Sequence, residues 1–399
     1  MLTKTYIPYR GYYSTPFCRW QGTMANENSI ALGATTAHRW LTKNNFDPTV
    51  IDYMYLGITI AQHHLFYSHT WASAMLVDGQ KDLPALMINQ ACTTSTTCIH
   101  LGAINIEVGT YDTAFALMTD RCSNGPHTIW PNPLGPGAEV ESENWMMDNF
   151  NRDPWAGQKM IQTAENVARE LGTTREECDA VTLRRYEQYQ EALANDRAFQ
   201  KRYMFPAEVR VSRKQTTSVE EDEGVTPTTA EGLARLKPVE PGGVHTFGAQ
   251  TFPADGNCGL IVTTRDKASE LSADPKVEIQ VVSYGLARAK KGYMALAPVP
   301  AAEMALQDAG ITVKDLKAVK THQPFAVNDI NMAAKMGMDV NWMNNYGNSL
   351  IYGHPQGPTA GRNIIELLEE VVMLGGGYAL WAGCAAGDTA AAMVFKVGS

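Results

Sequence analysis

The sequence predicts an α/β protein made of two similar halves, with a subdomain inserted into the first half. Short apolar segments typical of strands alternate with helical patterns in both halves, whereas the stretch between them has a different character. We therefore predict three parts: an N-terminal half at residues 1–118 that is completed by about 245–268, an inserted loop subdomain at 119–244, and a C-terminal half at 269–399.

The N-terminal half is predicted from a regular alternation of helical and strand patterns. The apolar spacing is helical before the first strand, and the second strand runs directly into a helix of small residues that ends before Gly109. The predicted elements are, in order, a helix at 30–41, strands at 51–60 and 84–89, a helix at 93–108 and a strand at 111–118.

The insertion and the C-terminal half follow. Pro, Gly and Trp cluster at 125–155, and a charged helix pair is predicted at 163–171 and 175–195, with Thr173 or Thr174 as the N-cap. An acidic run at 220–223 and a turn-rich segment at 238–243 lead back to the core. A strand at 259–263, another at 277–287, a helix at 301–309 and a strand at 318–321 then repeat the organisation of the first half.

Composition excludes several functions. A chain of 399 residues that is 44% hydrophobic is long enough to form more than one core. Its net charge of −9 argues against a general nucleic-acid binder. Apolar stretches of spanning length and a signal peptide are both lacking, so the prediction is a soluble cytoplasmic protein without a membrane segment. The seven cysteines form no CxxC pair, so we expect free thiols in a reducing compartment.

Cys92 is the first candidate for chemistry. It stands where a buried strand is predicted to end and a helix to begin within one or two residues. The unpaired N–H groups at a helix N-terminus favour a thiolate, so we expect a lowered pKa and a nucleophilic sulfur. The alternative is an inert buried cysteine, which is the commoner fate of cysteine.

Residues 89–92, an Asn followed three positions later by Cys92 and then by small residues, resemble the nucleophile motif of the thiolase family. Further segments are similar to thiolase motifs in the same order along the chain: 15–19, 163–168, 174–179 and 229–239. The resemblance implies two βαβαβαββ halves stacked as α-β-α-β-α layers. It also implies coenzyme A as a co-substrate carried by the insertion helices, acyl-CoA as the other substrate, and no permanently bound cofactor; the residues that contact coenzyme A are left open.

His354 lies in residues 353–362, which match the family's Gly-His-Pro-x-Gly-x-Ser-Gly-x-Arg apart from Thr359 and Ala360. A histidine is a suitable base for a cysteine because its pKa lies close to that of an activated thiol. The resemblance implies that His354 takes the proton of Cys92 and helps to hold the developing oxyanion.

Cys384 corresponds to the second thiolase cysteine, which exchanges a proton with the α-carbon of an acyl-thioester. Residues 385–388 match the family's glycine-rich sequence poorly, but backbone N–H groups of this turn and of Cys92 could still form an oxyanion hole. His322 stands where most thiolases carry Asn and where the sterol-carrier-protein-type thiolases carry a histidine. It is therefore expected to donate to the thioester oxygen.

The departures from the family bear on the substrate. Residues 249–253 and 345–348 differ from the usual pattern, which predicts a reshaped acyl pocket. Four aromatic residues of the insertion could line a pocket for an aromatic acyl group, with ordinary packing as the alternative: Trp130, Trp145, Phe150 and Trp155. The combination is similar to the divergent thiolases of anaerobic toluene degradation, which cleave benzoylsuccinyl-CoA to benzoyl-CoA and succinyl-CoA.

The resemblance also carries expectations about partners and metals. Thiolases are at least dimers, so a homodimer or larger oligomer is expected, and the divergent group implies a small partner subunit with a zinc ribbon and an OB-fold. In this chain itself no metal is predicted, because His63, His64 and His69 have no carboxylate or cysteine at matching spacing.

Two other functions remain as alternatives. A decarboxylating condensing enzyme of the ketoacyl-synthase kind would use Cys92 with His322 and His354, but it needs no second cysteine, so Cys384 argues against it. A non-catalytic acyl-CoA-binding subunit is the other alternative, because the motifs at 249–251 and 385–388 depart from the family.

Overall fold

The computed structural model describes residues 1–398. Its strands are β1 (Thr5–Pro8), β2 (Tyr12–Ser14), β3 (Cys18–Arg19), β4 (Tyr53–Gly57), β5 (Ala85–Ile88), β6 (Thr113–Arg121), β7 (His127–Pro131), β8 (Val140–Asn144), β9 (Ala207–Ser212), β10 (Gln215–Val219), β11 (Ala254–Thr264), β12 (Glu278–Arg288), β13 (Leu316–His322), β14 (Gly377–Ala385) and β15 (Thr389–Gly398). Its α-helices are α1 (Ser29–Lys43), α2 (Ser68–Leu76), α3 (Thr94–Glu107), α4 (Met147–Asn151), α5 (Met160–Leu171), α6 (Arg175–Arg197), α7 (Ala230–Arg235), α8 (Arg265–Leu271), α9 (Pro298–Ala309), α10 (Ala326–Met336), α11 (Ser349–Tyr352) and α12 (Pro358–Met373).

The two predicted halves share one strand order. In the first half β4, β6, β11 and β1 are neighbours, with a parallel pair followed by two antiparallel pairs. In the second half β13, β14, β15 and β12 follow in the same order and the same directions. The first half carries β5 as an extra edge strand beside β4. The repeat inferred from the order of elements is therefore present.

Strand β1 joins the halves into one mixed sheet of eleven strands, because it pairs antiparallel with both β11 and β12. Helices α1 and α2 cover the strands of the first half, and α9 and α10 cover those of the second. Helices α3 and α12 lie between the halves in the largest core cluster, and α12 is buried along almost its whole length. This is the predicted layered α/β fold.

The chain between β6 and β11 forms two hairpins, β7–β8 and β9–β10, with helices α4 to α7 around them. Helix α6 begins after Thr174, whose hydroxyl accepts from the Glu177 N–H while the Glu177 carboxylate accepts from the Thr174 N–H. This reciprocal cap identifies Thr174 rather than Thr173 as the N-cap. The domain boundaries stay a prediction.

The strand ends position the candidate site. Strand β5 runs directly into the turn of Cys92, β13 ends at His322, and β14 carries Cys384 one residue before its end. In the part of the chain that the structure describes, residues 1–398, no helix combines the length and the apolar character that a bilayer crossing requires.

Candidate active site

Cys92 occupies a sharp turn between a strand and a helix. Strand β5 ends at Ile88, a short 3₁₀ turn covers Ala91–Thr93, and α3 begins at Thr94. Ala91 has a φ of 46°, in the left-handed region that residues with a Cβ rarely adopt. The turn places the Cys92 side chain at the N-terminus of α3, and the side chain is 8% exposed.

Burial decides the protonation of Cys92. It raises the pKa of the thiol to about 12, although the backbone N–H groups of Ala386 and of Cys92 itself act in the opposite direction. The expectation of a lowered pKa is therefore wrong, because the loss of water outweighs the helix N-terminus. Cys92 rests as a neutral thiol.

His354 faces this thiol, with its Nε2 3.2 Å from the Cys92 Sγ. Its Nδ1 lies 2.6 Å from the Oγ1 of Thr359, which in turn lies 2.6 Å from the Pro355 carbonyl oxygen. A carbonyl only accepts, so the Thr359 hydroxyl must donate to it, and Nδ1–H must donate to Thr359. The Nε2 lone pair is left for the Cys92 proton. Burial lowers the pKa of His354 to about 3, so the imidazole rests neutral.

Gln356 is a second neighbour of Cys92 that the sequence did not identify. Its Oε1 lies 3.3 Å from the Cys92 Sγ, and the residue is buried. It stands at the variable position of the His354 motif, so its place in the motif was the only available signal. The thiol therefore lies between two acceptors, an imidazole nitrogen and an amide oxygen.

His322 lies flat against His354, with ring centroids 4.1 Å apart and planes at 28°. Its Nδ1 is 2.9 Å from the Oγ of Ser349, and this oxygen accepts a hydrogen bond from the Gln323 N–H. Burial, and then the neighbouring His354, hold the pKa of His322 well below its ordinary value. Its Nε2 is buried without a partner among residues 1–398, so this nitrogen is available to a bound molecule.

Cys384 is fully buried near the end of β14. Burial and the neighbouring Cys92 raise the pKa of its thiol, and the side-chain amide of Asn328 acts against them. The Asn328 Nδ2 lies 3.2 Å from the Cys384 Sγ. Nothing in the sequence pointed to Asn328, which follows His322 by six positions and comes close only because of how α10 packs.

The turn after Cys384 supplies backbone donors. Gly387 has a φ of 83° and Asp388 a φ of 60°, so two successive residues are left-handed and the chain reverses tightly into β15. The Asp388 carboxylate accepts from the Gly292 N–H at 2.8 Å and fixes this turn. The Ala386 N–H then faces the Cys92 sulfur. The poor match of the turn to the family sequence leaves this backbone position intact.

A single strand-like segment holds the two histidine loops together. The Thr251 N–H donates to the Pro324 oxygen, and the His354 N–H donates to the Phe252 oxygen, each at 2.8 Å. Residues 249–253, which depart from the family sequence, therefore hold the backbone next to His322 and at His354 in place. Neither this segment nor residues 345–348 line the cavity at the site. The expected reshaping of a pocket by these two segments is not seen at this cavity.

A cavity of about 500 Å³ lies beside the turn of Cys92, and its lining includes the chain neighbours of the two cysteines but not the cysteines themselves. Ala91, Gln356, Ala386 and Gly387 form its side next to the cysteines. Three of the four aromatic residues singled out in the sequence line it: Trp145, Phe150 and Trp155. The fourth, Trp130, lies on the β7–β8 hairpin, where its indole N–H donates to Glu143. Charged side chains of both signs line the wall, namely Arg288 at the end of β12 and the carboxylates Glu143 and Asp153.

The donor atoms of Cys92, His322 and His354 all lie within 4.8 Å of one another. Thiolate and imidazole are ligands that zinc accepts, but a closed structural zinc site needs four ligands. The absence of a resident metal stays a prediction.

Comparison with known proteins agrees with the fold and with the order of the motifs. The model of the thiolase N-terminal domain matches residues 11–266, and that of the thiolase C-terminal domain matches 275–397. The chain belongs to the thiolase family, and it is an acyltransferase of the thiolase type.

Two distant relatives match over nearly their whole length. The human mitochondrial 3-ketoacyl-CoA thiolase is 27% identical over 391 residues, which cover 96% of each chain. An acetyl-CoA acetyltransferase of Syntrophomonas wolfei is 27% identical over 398 residues, with 97% of this chain and 98% of that protein covered. The crystal structure of the human mitochondrial enzyme superposes with a TM-score of 0.89 at 26% identity, over 98% of both chains.

Proposed function

We propose that this protein cleaves a 3-oxoacyl-CoA with coenzyme A through a thioester on Cys92. The observation that carries the proposal is the pair of Cys92 and His354, in which the imidazole tautomer set by Thr359 presents a free lone pair 3.2 Å from the thiol. Coenzyme A is the proposed co-substrate. The human mitochondrial relative, which has also been crystallised in complex with CoA, supports this choice.

In the proposed first step the Cys92 proton passes to Nε2 of His354 while the sulfur bonds to the 3-keto carbon. The carbonyl electron pair moves onto oxygen, to which the N–H groups of Cys92 and Ala386 donate. When this pair returns, the bond between carbons 2 and 3 breaks, and its electrons form the enolate of the second acyl-CoA.

The enolate is then protonated and the acyl group leaves. Cys384 gives its proton to carbon 2, while Nε2–H of His322 donates to the thioester oxygen. For this, the hydroxyl of Ser349 donates to Nδ1 of His322, which leaves the proton on Nε2. The Cys384 thiolate takes the thiol proton of an incoming coenzyme A, whose sulfur displaces the acyl group, and the His354 proton returns to Cys92.

The acyl group that we propose is aromatic, and the substrate is benzoylsuccinyl-CoA, which would give benzoyl-CoA and succinyl-CoA. Support comes from the cavity, whose volume of about 500 Å³ exceeds that of a phenyl ring and whose lining includes Trp145, Phe150 and Trp155. Arg288 in the same wall could pair with the free carboxylate of the succinyl part. His322 stands where most thiolases carry Asn and where the sterol-carrier-protein-type thiolases carry histidine. This residue supports a relationship of the protein to that group.

The test is mass spectrometry of the protein after exposure to a panel of 3-oxoacyl-CoAs with aryl and alkyl acyl groups. We expect an acyl adduct on the peptide that contains Cys92, with the benzoyl mass most abundant, and no adduct in Cys92→Ala. If no adduct forms and a thiol alkylator modifies Cys92 no faster than other cysteines, the chain is a non-catalytic acyl-CoA-binding subunit.

A decarboxylating condensing enzyme would differ at Cys384. Loss of CO₂ supplies the carbanion without a base, so Cys384→Ala should leave such an enzyme almost unchanged. For the proposed thiolase we expect this variant to lose both cleavage and proton exchange at the α-carbon. A variant that cleaves at the normal rate would favour the decarboxylating alternative.

We further propose an oligomer, and a small zinc-ribbon and OB-fold partner. The exposed Leu86 on the edge strand β5 and the exposed Val108 after α3 support a homodimer through this edge. The β7–β8 hairpin exposes Ile129, Leu134 and Val140, an apolar surface that supports a further contact. Light scattering of the protein alone and with a candidate partner tests both.

A cytoplasmic location stays a prediction.

A further inference from the structure

Asn328 is a buried amide on the first turn of α10, and its contact with Cys384 is not explained by packing. The residue is 2% exposed, and its Nδ2 lies 3.2 Å from the Cys384 Sγ. Its Oδ1 is buried and has no hydrogen-bond partner among residues 1–398. An unpaired buried oxygen costs stability, which a leucine of similar size would avoid. The advantage of an amide at this position must therefore come from its NH₂ group, which donates to the Cys384 sulfur.

The first turn of α10 is held in place by groups outside the helix. The Ala326 N–H donates to the Ala249 oxygen at 2.9 Å, and the Val327 N–H points at Nε2 of His245 at 3.4 Å. Nε2 accepts, so Nδ1 of His245 carries the proton and donates to the Glu165 carboxylate at 3.0 Å. His245 and Glu165 are both buried. The Asn328 amide is thus fixed relative to Cys384 before any substrate binds.

We propose that Asn328 is a catalytic residue of the α-carbon proton transfer, because its amide N–H stabilises the Cys384 thiolate. The inference rests on the function proposed above, in which Cys384 exchanges this proton. When the thiolate takes a proton from carbon 2, the C–H bond breaks, an S–H bond forms and the electron pair becomes the enolate. The N–H···S hydrogen bond is strongest to the charged sulfur and weakens as the thiol forms.

The surroundings of the Cys384 sulfur disfavour the thiolate, so a hydrogen-bond donor is needed to stabilise it. Burial and the neighbouring Cys92 raise the pKa of Cys384, and Asn328 is the side chain that lowers it. A hydrogen bond to a charged group changes an equilibrium by roughly 10- to 100-fold. Without Asn328, less of the enzyme would hold the thiolate at neutral pH.

The experiment measures enzyme-dependent deuterium uptake at the α-carbon of succinyl-CoA and acetyl-CoA in D₂O, as a function of pH. For Asn328→Ala we expect exchange that is roughly 10- to 100-fold slower at pH 7, with the pH profile shifted upward by about one to two units. Alkylation of Cys92 by iodoacetamide should stay close to that of the wild type. Asn328→Asp keeps the shape but removes the donor, so its exchange should fall at least as far.

Asn331→Ala is the matched control. Asn331 lies on the same helix, is fully buried, and donates to the Ala295 oxygen at 3.0 Å without touching either cysteine. We expect this variant to exchange deuterium at the normal rate and with the normal pH profile. If Asn328→Ala matches it, or slows exchange without shifting the profile, Asn328 has no catalytic role. If the wild type shows no exchange, or Cys384→Ala retains it, the proposed function itself fails.

Discussion

At the scale of single residues, two stacked imidazoles differ in the hydroxyl that each one meets. Thr359 must accept from Nδ1 of His354, because its own proton goes to the Pro355 carbonyl. Within residues 1–398 the Ser349 hydroxyl has no carbonyl partner, so it can donate to Nδ1 of His322. One ring therefore presents a lone pair to Cys92, and the other is free to present an N–H group to a substrate oxygen.

Thr359→Val tests the tautomer of His354. The change removes the acceptor for Nδ1–H, so the proton can move to Nε2 and block transfer from Cys92. We expect kcat to fall roughly 10- to 100-fold with little change in KM, as measured in the cleavage direction. Thr359→Ser keeps the hydroxyl and should stay close to the wild type. Equal rates for Thr359→Val and Thr359→Ser would show that the hydroxyl does not set the tautomer.

The reactivity of Cys92 should depend on pH in a way that follows from burial. The pKa of the thiol is raised to about 12 and that of His354 is lowered to about 3, so between these values the free enzyme holds a thiol and a neutral imidazole. Below the thiol pKa, the thiolate fraction rises roughly tenfold per pH unit. Alkylation of Cys92 by iodoacetamide, followed by mass spectrometry, should therefore still be rising at pH 9. A plateau reached near pH 7 would indicate a thiolate–imidazolium pair instead.

At the scale of elements, the insertion builds the wall of the cavity opposite the cysteines. Helix α4 carries Phe150, and the chain on either side of it carries Trp145 and Trp155. The Trp145 indole N–H donates to the Thr59 oxygen at 2.9 Å, which fastens this wall to the N-terminal half. Trp155 is 59% exposed and has Lys291 over its ring, so it lies at the open side of the cavity.

Trp155→Ala tests whether this wall selects an aromatic acyl group. We expect kcat/KM for an aryl 3-oxoacyl-CoA to fall roughly tenfold, because the aryl ring of the substrate loses a stacking partner. The value of kcat/KM for a short alkyl substrate should fall less. Trp20→Ala removes a comparable side chain that is 36% exposed and outside the cavity lining, and it should leave both values unchanged. An equal loss for both substrates in Trp155→Ala would assign Trp155 a general role in binding.

At the scale of the whole molecule, a network of buried charges connects the insertion to the central helix. Arg362 on α12 forms two bonds to Asp222, at 2.6 and 2.8 Å, and one to Glu366 at 3.0 Å. Lys320 on β13 reaches Glu366 at 2.9 Å, and these side chains are at most 1% exposed. The acidic segment at 220–223 is thus a structural connection, because Asp222 neutralises a guanidinium inside the protein.

Asp222→Ala would leave Arg362 partly unpaired in the interior. We expect a loss of about 3–5 kcal/mol in the free energy of unfolding, seen as a lower midpoint in thermal denaturation. Glu221→Ala is the neighbouring control, because Glu221 pairs with Arg197 while 74% exposed and should change stability by less than about 1 kcal/mol. Similar midpoints for the two variants would mean that Arg362 finds another partner.

Much of the fold could be predicted because its signals are local. The helical spacing at 30–41 became α1, the apolar segment before Cys92 became β5, and Thr174 capped α6 through a residue three positions away. The hairpin β7–β8 was not predicted, because its exposed strands show no alternation of apolar and polar residues. Likewise, no sequence pattern announces Asn328 beside Cys384.

By itself the sequence determined the family and the repeat of two halves, and it predicted four site residues, Cys92, His322, His354 and Cys384, because motifs and periodicity lie in neighbouring positions. Only the tertiary structure decided which of those residues lie in contact and in what surroundings. Cys92 and His354 are 262 positions apart, and the thiol pKa is raised because the folded chain removes water from around it. Distances, tautomers and burial arise from contacts between distant segments, and no local pattern encodes them.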